Sequence, residues 1–597
     1  MSKRDAVANA RTAKGVFSMK SSSDLRTLLR SIDRKSYPAY KELAGSWQFK
    51  SYILCIDHVQ GDPFASPSSV HVEVPLLRAG FPKEYCEKSC MRIALQDFLL
   101  RQMAEQFGRE RGQAKGSGKS GLLFISRCGQ KVLERSACMI ERDRIIVRFQ
   151  IGFPAFGRTI NAGELEKILF TVLPECVENS LFYTRLDQRA VKAAVELSED
   201  QESLRCQMQE RGIVAFVADG AILPRKSGVS DLPMQGSVPF SSPKSMRQTF
   251  VLPHCGMISG MAIPHGITLI AGGGYHGKST LLEAIQNGVY DHIAGDGREF
   301  VLTDKTAVKQ RAEDGRSIRK VNIDLFIHNL PNKKDTTEFS TEDASGSTSQ
   351  AAGLMESIEA GSRLLLLDED TSATNFMVRD RLMQEVISRD KEPITPFIER
   401  ARDLCDEAGI STIMVAGSSG AFFYLADHIL LLDNYRVREI TDEVKAVCAH
   451  HPAPSIRAPE FQIPEFKRIF PAFRRAQSRD SRYDQMKVKA FGVDSLSLDR
   501  ETVDVRYLEQ LVDSEQTMAL AYLMRYCLEN LLDGKRTVRQ IVSRAMEVLE
   551  KMGWEAFCRG YVPGGLAKPR EQEMYACLNR FRGSTASVEK SLSGAGN

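Results

Sequence analysis

Apolar residues along the chain recur either at helical spacing or in short strand-like runs. Leu25, Leu28, Leu29 and Ile32 follow a Ser-Asp cap signal at helical spacing, which predicts a helix from Asp24. Strands are predicted at 52–59 and 70–74, then a long helix around 83–107. Strands at 122–126, 130–140 and 144–151 and a helix near 163–182 complete an α+β N-terminal domain over 24–205. A mixed α/β core is expected over 206–445, with a polar Ser/Thr-rich loop at 331–347. Past 446, Leu508, Leu511, Val512, Leu520, Met524, Cys527, Leu528 and Leu531 form an amphipathic helical layer that reads as core rather than partner surface. The fold class is therefore α/β, flanked by the α+β domain and by a C-terminal α/β domain over 446–597.

One loop in the central region has a specific chemical pattern. Gly272, Gly277, Lys278 and Ser279 satisfy the spacing G-x-x-x-x-G-K-[ST]. The strand-like run Ile267–Ala271 feeds the loop, and Leu281, Leu282 and Ile285 follow as the inward face of a helix. Glycines let backbone N–H groups close around phosphate oxygens, and the helix N-terminus adds a favourable dipole. The candidate ATP or ADP site is therefore Gly272, Gly273, Gly274, Tyr275, His276, Gly277, Lys278, Ser279 and Thr280. Lys278 is placed on the β- and γ-phosphates and Ser279 on Mg2+. Gly118-Lys119-Ser120 is a decoy, because Gln113 stands where the first glycine belongs and no apolar strand feeds it.

The apolar run 364–367 ends in Asp368 and Glu369. Runs apolar throughout suit strands covered on both faces. Asp368 can hold Mg2+ through water, and Glu369 can orient or deprotonate the attacking water, so Glu369 joins Lys278 as a catalytic candidate. Ser345-Gly346-Ser347-Thr348-Ser349-Gln350 begins 23 positions before Asp368 (368 − 345), across a helix-length segment. Read alone, this is a flexible polar loop. Read with its neighbours, it resembles the signature loop of the ABC ATPases, which binds the γ-phosphate of ATP held by the opposite protomer. Asp370-Thr371-Ser372-Ala373-Thr374-Asn375 is similar to that family's D-loop, with Asn375 where aspartate is usual. The resemblance implies that Ser345, Gly346 and Ser347 act in trans, in an ATP-dependent homodimer.

After about residue 23 the whole chain resembles the ABC-class ATPases that carry their own N- and C-terminal domains. The resemblance rests on Gln60-Gly61-Asp62-Pro63-Phe64, Gly152-Phe153-Pro154-Ala155-Phe156-Gly157-Arg158, Val217-Ala218-Asp219-Gly220, Gly295-Asp296-Gly297-Arg298-Glu299, Ala312-Glu313-Asp314-Gly315-Arg316 and Ala567-Lys568-Pro569-Arg570 with Asn579-Arg580. It implies an ABC-type P-loop ATPase core between the two flanking domains. Within the family the chain is most similar to a kinetoplastid member found with the mitochondrial RNA-binding complex of uridine insertion/deletion editing. That likeness implies RNA, an RNA-editing or RNA-processing complex as partner, and the mitochondrial matrix, with the cytoplasm as the alternative.

Two departures from the family pattern bear on turnover. The strand at 412–416 leads into Gly417-Ser418-Ser419-Gly420, with no switch histidine, and His428 lies downstream. Any γ-phosphate sensing is left to Ser418, Ser419 or backbone N–H groups. Slow hydrolysis is expected, and a nucleotide-gated scaffold with little hydrolysis stays open as the other reading. Gln310 is a candidate for the family's glutamine loop, but Glu313 and Asp314 stand equally near.

At 597 residues the chain accommodates three or four domains, and 43% hydrophobic with 26% charged residues is ordinary globular composition. No apolar run reaches the about 18 residues that a membrane span requires. A net charge of +4 is too small to argue nucleic-acid binding. The basic strip 457–489 is more specific, with nine basic residues against four acids and interleaved aromatics. Lys467, Arg468, Arg474 and Arg475 could follow a single-stranded RNA backbone while Phe470 and Phe473 stack on bases. The connector at 108–121 adds Arg109, Arg111, Lys115 and Lys119. The other reading is that the phenylalanines are core and the charges a solvated face. Thirteen scattered cysteines without a C-x-x-C pair suit a reducing compartment, and His and Cys recur at no metal-ligand spacing. Residues 1–23 hold five basic residues and one acid, as in a disordered basic tail or a mitochondrial transit peptide.

Overall fold

The structure is a computed structural model that describes residues 20–110, 116–379, 386–387, 391–417, 419–453, 458–473 and 486–583. Two compact units divide the chain. The first takes its residues from 1–128, 135–192 and 561–565, and the second from 129–134, 193–560 and 566–597. The expected boundary at 205 falls inside one helix, Gln188–Glu210.

The first unit is built on a seven-stranded sheet. Its centre is β1 (Ile53–His58), β2 (Ser68–Pro75) and β3 (Arg144–Ile151), all antiparallel. Along β2 burial alternates, with Val70, Val72 and Val74 inward. The helix Ser89–Arg109 covers that face, and its Phe107 meets Phe149 of β3 edge to face at 5.2 Å between centroids. The helix expected over 83–107 is broken by Lys88 (φ −83°, ψ 139°) into Glu84–Glu87 and Ser89–Arg109. The one expected near 163–182 contains a π-turn, Ile168–Val172, directly before Leu173 and Pro174. Pro174 has no N–H to offer the preceding turn, so the hydrogen-bond register slips there. At the start of the chain, Ser21 and Asp24 form a capping box, and the first helix spans Ser22–Ser31.

The second unit is organised by a six-stranded sheet. Its elements are β4 (Ile267–Ala271), α1 (Lys278–Asn287), β5 (Val308–Gln310), α2 (Gly346–Glu359), β6 (Leu364–Asp368), β7 (Ser411–Val415), β8 (His428–Asp433) and β9 (Arg436–Glu439). The strand order is β5-β6-β7-β4-β8-β9, parallel except at the β8–β9 edge. Alternate side chains serve two cores. Ile270, Leu364, Leu366, Ile413, Val415 and Leu430 pack with Leu281, Leu282 and Ile285 of α1. Leu269, Leu365, Leu367, Met414 and Ile429 pack on the other face with Ala351, Leu354 and Met355 of α2. Covering both faces is why these strands are apolar throughout. A four-stranded antiparallel sheet containing Ile213–Ala218 and Gly256–Pro264 adjoins the first of these cores.

The stretch expected as a loop at 331–347 includes the strand Phe339–Ala344, which pairs with Arg316–Val321. Phe339 and Ala344 are buried at its ends, while Ser340, Glu342 and Asp343 face outward. The C-terminal part of the unit has three short antiparallel strands, the helices Ser514–Asn530 and Val538–Met552, and α3 (Glu571–Arg580). Leu520, Met524, Cys527 and Leu528 are buried, as their spacing predicts. Among the described residues no helix is long and apolar enough to cross a membrane.

Candidate nucleotide-binding site

β4 delivers the chain to Gly272 at φ 143°, where a Cβ would lie 2.5 Å from the Leu432 carbonyl oxygen of β8. Only glycine passes there. Gly277, at φ 98°, is the left-handed N-cap of α1 and offers no side-chain cap. The first-turn N–H groups of α1 therefore keep their capacity to bind an anion. Between these glycines Tyr275 takes φ 64° with its ring fully exposed. His276 Nδ1 accepts the Asn434 N–H at 2.9 Å, which fastens the loop to the turn after β8. Lys278 Nζ donates to the Gly272 and Gly273 carbonyls, both at 2.7 Å. Phosphate oxygens compete for the same ammonium.

Strand register places the acidic residues on the same edge. Asp368 pairs with Val415 of β7, and Val415 is flanked on its other side by Ile270 of β4. The end of β6 and the root of the loop thus emerge two strand spacings apart, about 10 Å. Asp368 is buried and accepts the Asp370 N–H at 3.2 Å. Lys309 Nζ stands 4.0 Å from Asp368 Oδ2 and 3.9 Å from Glu509 Oε2. The sequence reading missed both Lys309 and Glu509, because the pairing joins residues 200 positions apart (509 − 309). Glu369 is half-buried, and its Oε2 accepts the Gly417 N–H at 2.6 Å. Of the two expected γ-phosphate sensors, Ser418 lies outside the described residues. Ser419 accepts the Ala421 N–H as cap of the short helix Gly420–Tyr424.

The segment 345–350 is a helix N-terminus and not a free loop. Ser345 caps α2 without a side-chain bond to its backbone. Ser345 Oγ lies 3.0 Å from Thr348 Oγ1, and Ser349 Oγ accepts the Glu313 N–H at 2.8 Å. Gln350, fully buried, donates to Ser372 Oγ at 3.0 Å and accepts the Ala373 N–H at 2.9 Å. The base of α2 is thereby bonded to the segment that follows Asp368 and Glu369. Among the described residues no hydrogen bond joins 345–347 to 272–280. Gln310 is buried and donates to Ser357 Oγ at 2.6 Å, inside the packing of β5 on α2.

Ion pairs anchor α2 and the Glu313 segment bonded to its first turn. Arg316 pairs with Glu356, Arg468 with Glu359, and Arg580 of α3 with Glu313. Burial alone would raise the Glu313 carboxyl, but Arg580, Arg316 and Arg311 together hold it below its ordinary value.

These contacts correct part of the expected RNA surface. The Arg468 side chain is only 8% exposed, donating to Glu359 at 2.8 Å, to the Arg319 carbonyl and to Asn579. Phe470 is 3% exposed and belongs to the interior. Phe473 is half-buried, with its ring 6.2 Å from that of Phe581. Lys467 is exposed and pairs with Glu465 at 2.5 Å. Arg109 is exposed beside Glu105 at 2.6 Å, and Lys119 is exposed. Arg111, Lys115, Arg474 and Arg475 lie outside the described residues.

Three family models match in succession. Residues 22–184 match an ATPase of the ABC class N-terminal domain, 187–468 the P-loop domain of ABC ATPases, and 487–587 the MRB1590 C-terminal domain. Over 253 residues the chain is 29% identical to the uncharacterized protein MJ1628 of Methanocaldococcus jannaschii, covering 40% of this chain and 54% of that protein. The chain thus spans about half the length of this relative. Among solved structures it is similar to the ADP conformation of MJ1267, an ATP-binding cassette of an ABC transporter (14% identity, 32% of this chain, 87% of that one, TM-score 0.22). It is also similar to cbiO1 from Clostridium perfringens, part of the transporter complex cbiONQ (14% identity, 34% and 90%, TM-score 0.21). The P-loop strand–loop–helix, the carboxylates on the same sheet edge and the three consecutive matches support the ABC-class ATPase family for this chain.

Proposed function

We propose that the chain is a magnesium-dependent ATPase that closes as a head-to-tail dimer on ATP and uses the closure to remodel RNA or an RNA–protein complex. The observation that carries the reading is the register row Asp368–Val415–Ile270, which sets both carboxylates beside the phosphate loop. The loop's N–H groups and Lys278 hold the β- and γ-phosphates, and Ser279 and Asp368 are the residues that would hold Mg2+. When bound, Mg2+ neutralises phosphate charge. Glu369 orients the attacking water once it leaves Gly417. Ser345, Gly346 and Ser347, at the N-terminus of α2, complete the site of a second copy, as the family resemblance implies.

Closure transmits to the C-terminal elements through α2, whose Glu359 is ion-paired to Arg468, and through Glu313, which is bonded to Ser349 of α2 and ion-paired to Arg580. RNA as the cargo, an editing or processing complex as the partner and the mitochondrial matrix as the place rest on the family resemblance. For the complex and the RNA, the matched MRB1590 C-terminal domain and the exposed Lys119, Arg109 and Lys467 are in keeping with this reading. The Glu369–Gly417 bond favours a second reading, a nucleotide-gated scaffold with little hydrolysis. Single-turnover hydrolysis with and without single-stranded RNA separates the two. The remodelling ATPase releases phosphate faster with RNA, and unchanged, near-zero release selects the scaffold.

A further inference from the structure

The first unit carries a ligand cluster that the nucleotide chemistry does not use. Antiparallel register puts Cys55 of β1 directly opposite His71 of β2, and Ile53 opposite Glu73. Cys55, His71 and Glu73 therefore share the sheet face opposite to Val70, Val72 and Val74. A ligand atom from each of the three lies within 4.8 Å of the others. The register shift between Ile56 and His58 brings Asp57 to the same place, with its Oδ2 2.7 Å from His71 Nδ1. Nδ1 is thereby engaged, and Nε2, 3.5 Å from Glu73 Oε1, is left to act as a ligand. Arg144 holds the other Glu73 oxygen at 2.7 Å, which turns Oε1 toward the imidazole. Ser46 Oγ lies 3.2 Å from Cys55 Sγ.

Tetrahedral zinc with bonds near 2.0–2.3 Å separates its ligand atoms by about 3.6 Å. The His71–Glu73 spacing meets that value already, and small side-chain rotations close the rest. Thiolate, imidazole and carboxylate together suit Zn2+, whereas Mg2+ and Ca2+ call for oxygen ligands alone. A carboxylate on the far nitrogen of a ligating histidine fixes its tautomer and raises its basicity, which is the position of Asp57. The side chains of Asp57, His71 and Glu73 are 17–19% exposed, enough for an ion to enter and for a water to take a fourth position.

We propose that Cys55, His71 and Glu73 bind one Zn2+, with Asp57 orienting His71 and Arg144 orienting Glu73. Binding releases the Cys55 thiol proton and any proton on His71 Nε2 to solvent, and involves no redox change. The bound ion crosslinks β1 to β2 on the partly exposed face of the sheet.

The test uses the purified full chain, stripped with a chelator and kept free of nucleotide. Competition with a chromophoric chelator should show one tight equivalent of Zn2+, and Co2+ should give a thiolate-to-metal charge-transfer band. Asp57→Asn should weaken Zn2+ binding by about 10–100-fold. Cys55→Ser should weaken it further and remove the cobalt band, and Glu73→Gln should weaken binding while keeping that band. Circular dichroism establishes that each variant is folded. If Cys55→Ser does not fold, the stoichiometry of the wild type and the Glu73→Gln affinity decide. No tight equivalent in the wild type, or unchanged affinity in the folded variants, overturns the site.

Discussion

The Glu369 carboxylate accepts the backbone N–H of Gly417 at 2.6 Å. The residue placed to orient the attacking water is thus tethered to the segment after β7, where the family resemblance leads one to look for a histidine. A backbone N–H does not titrate and cannot rotate away as a side chain can. Freeing Glu369 means breaking this bond, by rotation of its own side chain or by a shift of Gly417, which links hydrolysis to a local rearrangement at the end of β7.

Glu369→Gln should trap ATP and drive dimerisation. Glutamine keeps an oxygen for the Gly417 N–H, so the local structure survives, while the base is lost. Removing a general base costs roughly 10²–10⁴-fold in rate. Sedimentation with ATP and Mg2+ should show a dimer that persists. A monomer at high protein concentration would count against the arrangement in trans.

Lys278→Ala should remove nucleotide binding and leave the fold intact. Its ammonium bonds to two carbonyls of its own loop, one bond part-buried and the other exposed. A charge-assisted hydrogen bond to phosphate contributes about 1.5–3 kcal/mol, and an ammonium can donate more than one. Calorimetric titration should show ATP affinity falling by more than about 100-fold. Unchanged affinity would place the nucleotide elsewhere.

How much of this was legible followed contact range. The phosphate loop occupies eight contiguous positions, so its spacing, with the apolar strand before it and the helix after it, made the strand–loop–helix legible. Asp368 and Glu369 were legible because a buried strand ends there. The strip around Arg468 and Phe470 misled for the opposite reason. Basic and aromatic residues alternate in RNA-binding grooves, but here the partner of Arg468 is Glu359, 109 positions away. The Cys55–His71 cluster has no motif spacing at all, since only the hairpin register creates it. Gln350 reads as the tail of a polar loop until its amide is seen bonded to Ser372 and Ala373.

Acid should loosen α3 from the core. The Glu313 carboxyl is lowered from its ordinary 4.5, because Arg580 and its neighbouring arginines outweigh burial. A depressed carboxyl contributes stability that is full above its unfolded value and is lost as pH falls through the lower folded value. Urea midpoints measured from pH 7 down past 4.5 should therefore fall more steeply for the wild type than for Glu313→Gln. Glu313→Gln should also be the less stable of the two at pH 7. Parallel acid limbs would show that the Arg580–Glu313 pair has no such role.

The two adjacent basic residues of the strip should behave oppositely. Arg468→Ala leaves Glu359, 1% exposed, as an uncompensated buried carboxylate. Breaking a buried pair from one side costs about 3–5 kcal/mol, so the melting temperature should drop by several degrees. RNA affinity, measured well below that temperature, should be unchanged, because the guanidinium is already engaged by Glu359, the Arg319 carbonyl and Asn579. Lys467 is the reverse case. It is 70% exposed and its pairing with Glu465 is a surface contact worth at most about 1 kcal/mol, so Lys467→Ala should leave stability nearly untouched. If Lys467 touches phosphate, that variant weakens single-stranded RNA binding across sequences and reduces the salt slope by about one released counterion. Paired melting curves and salt-dependent RNA titrations on both variants decide the matter. An Arg468→Ala protein that melts like the wild type but binds RNA poorly would return Arg468 to the RNA surface, and a Lys467→Ala protein with the wild-type salt slope would remove Lys467 from it.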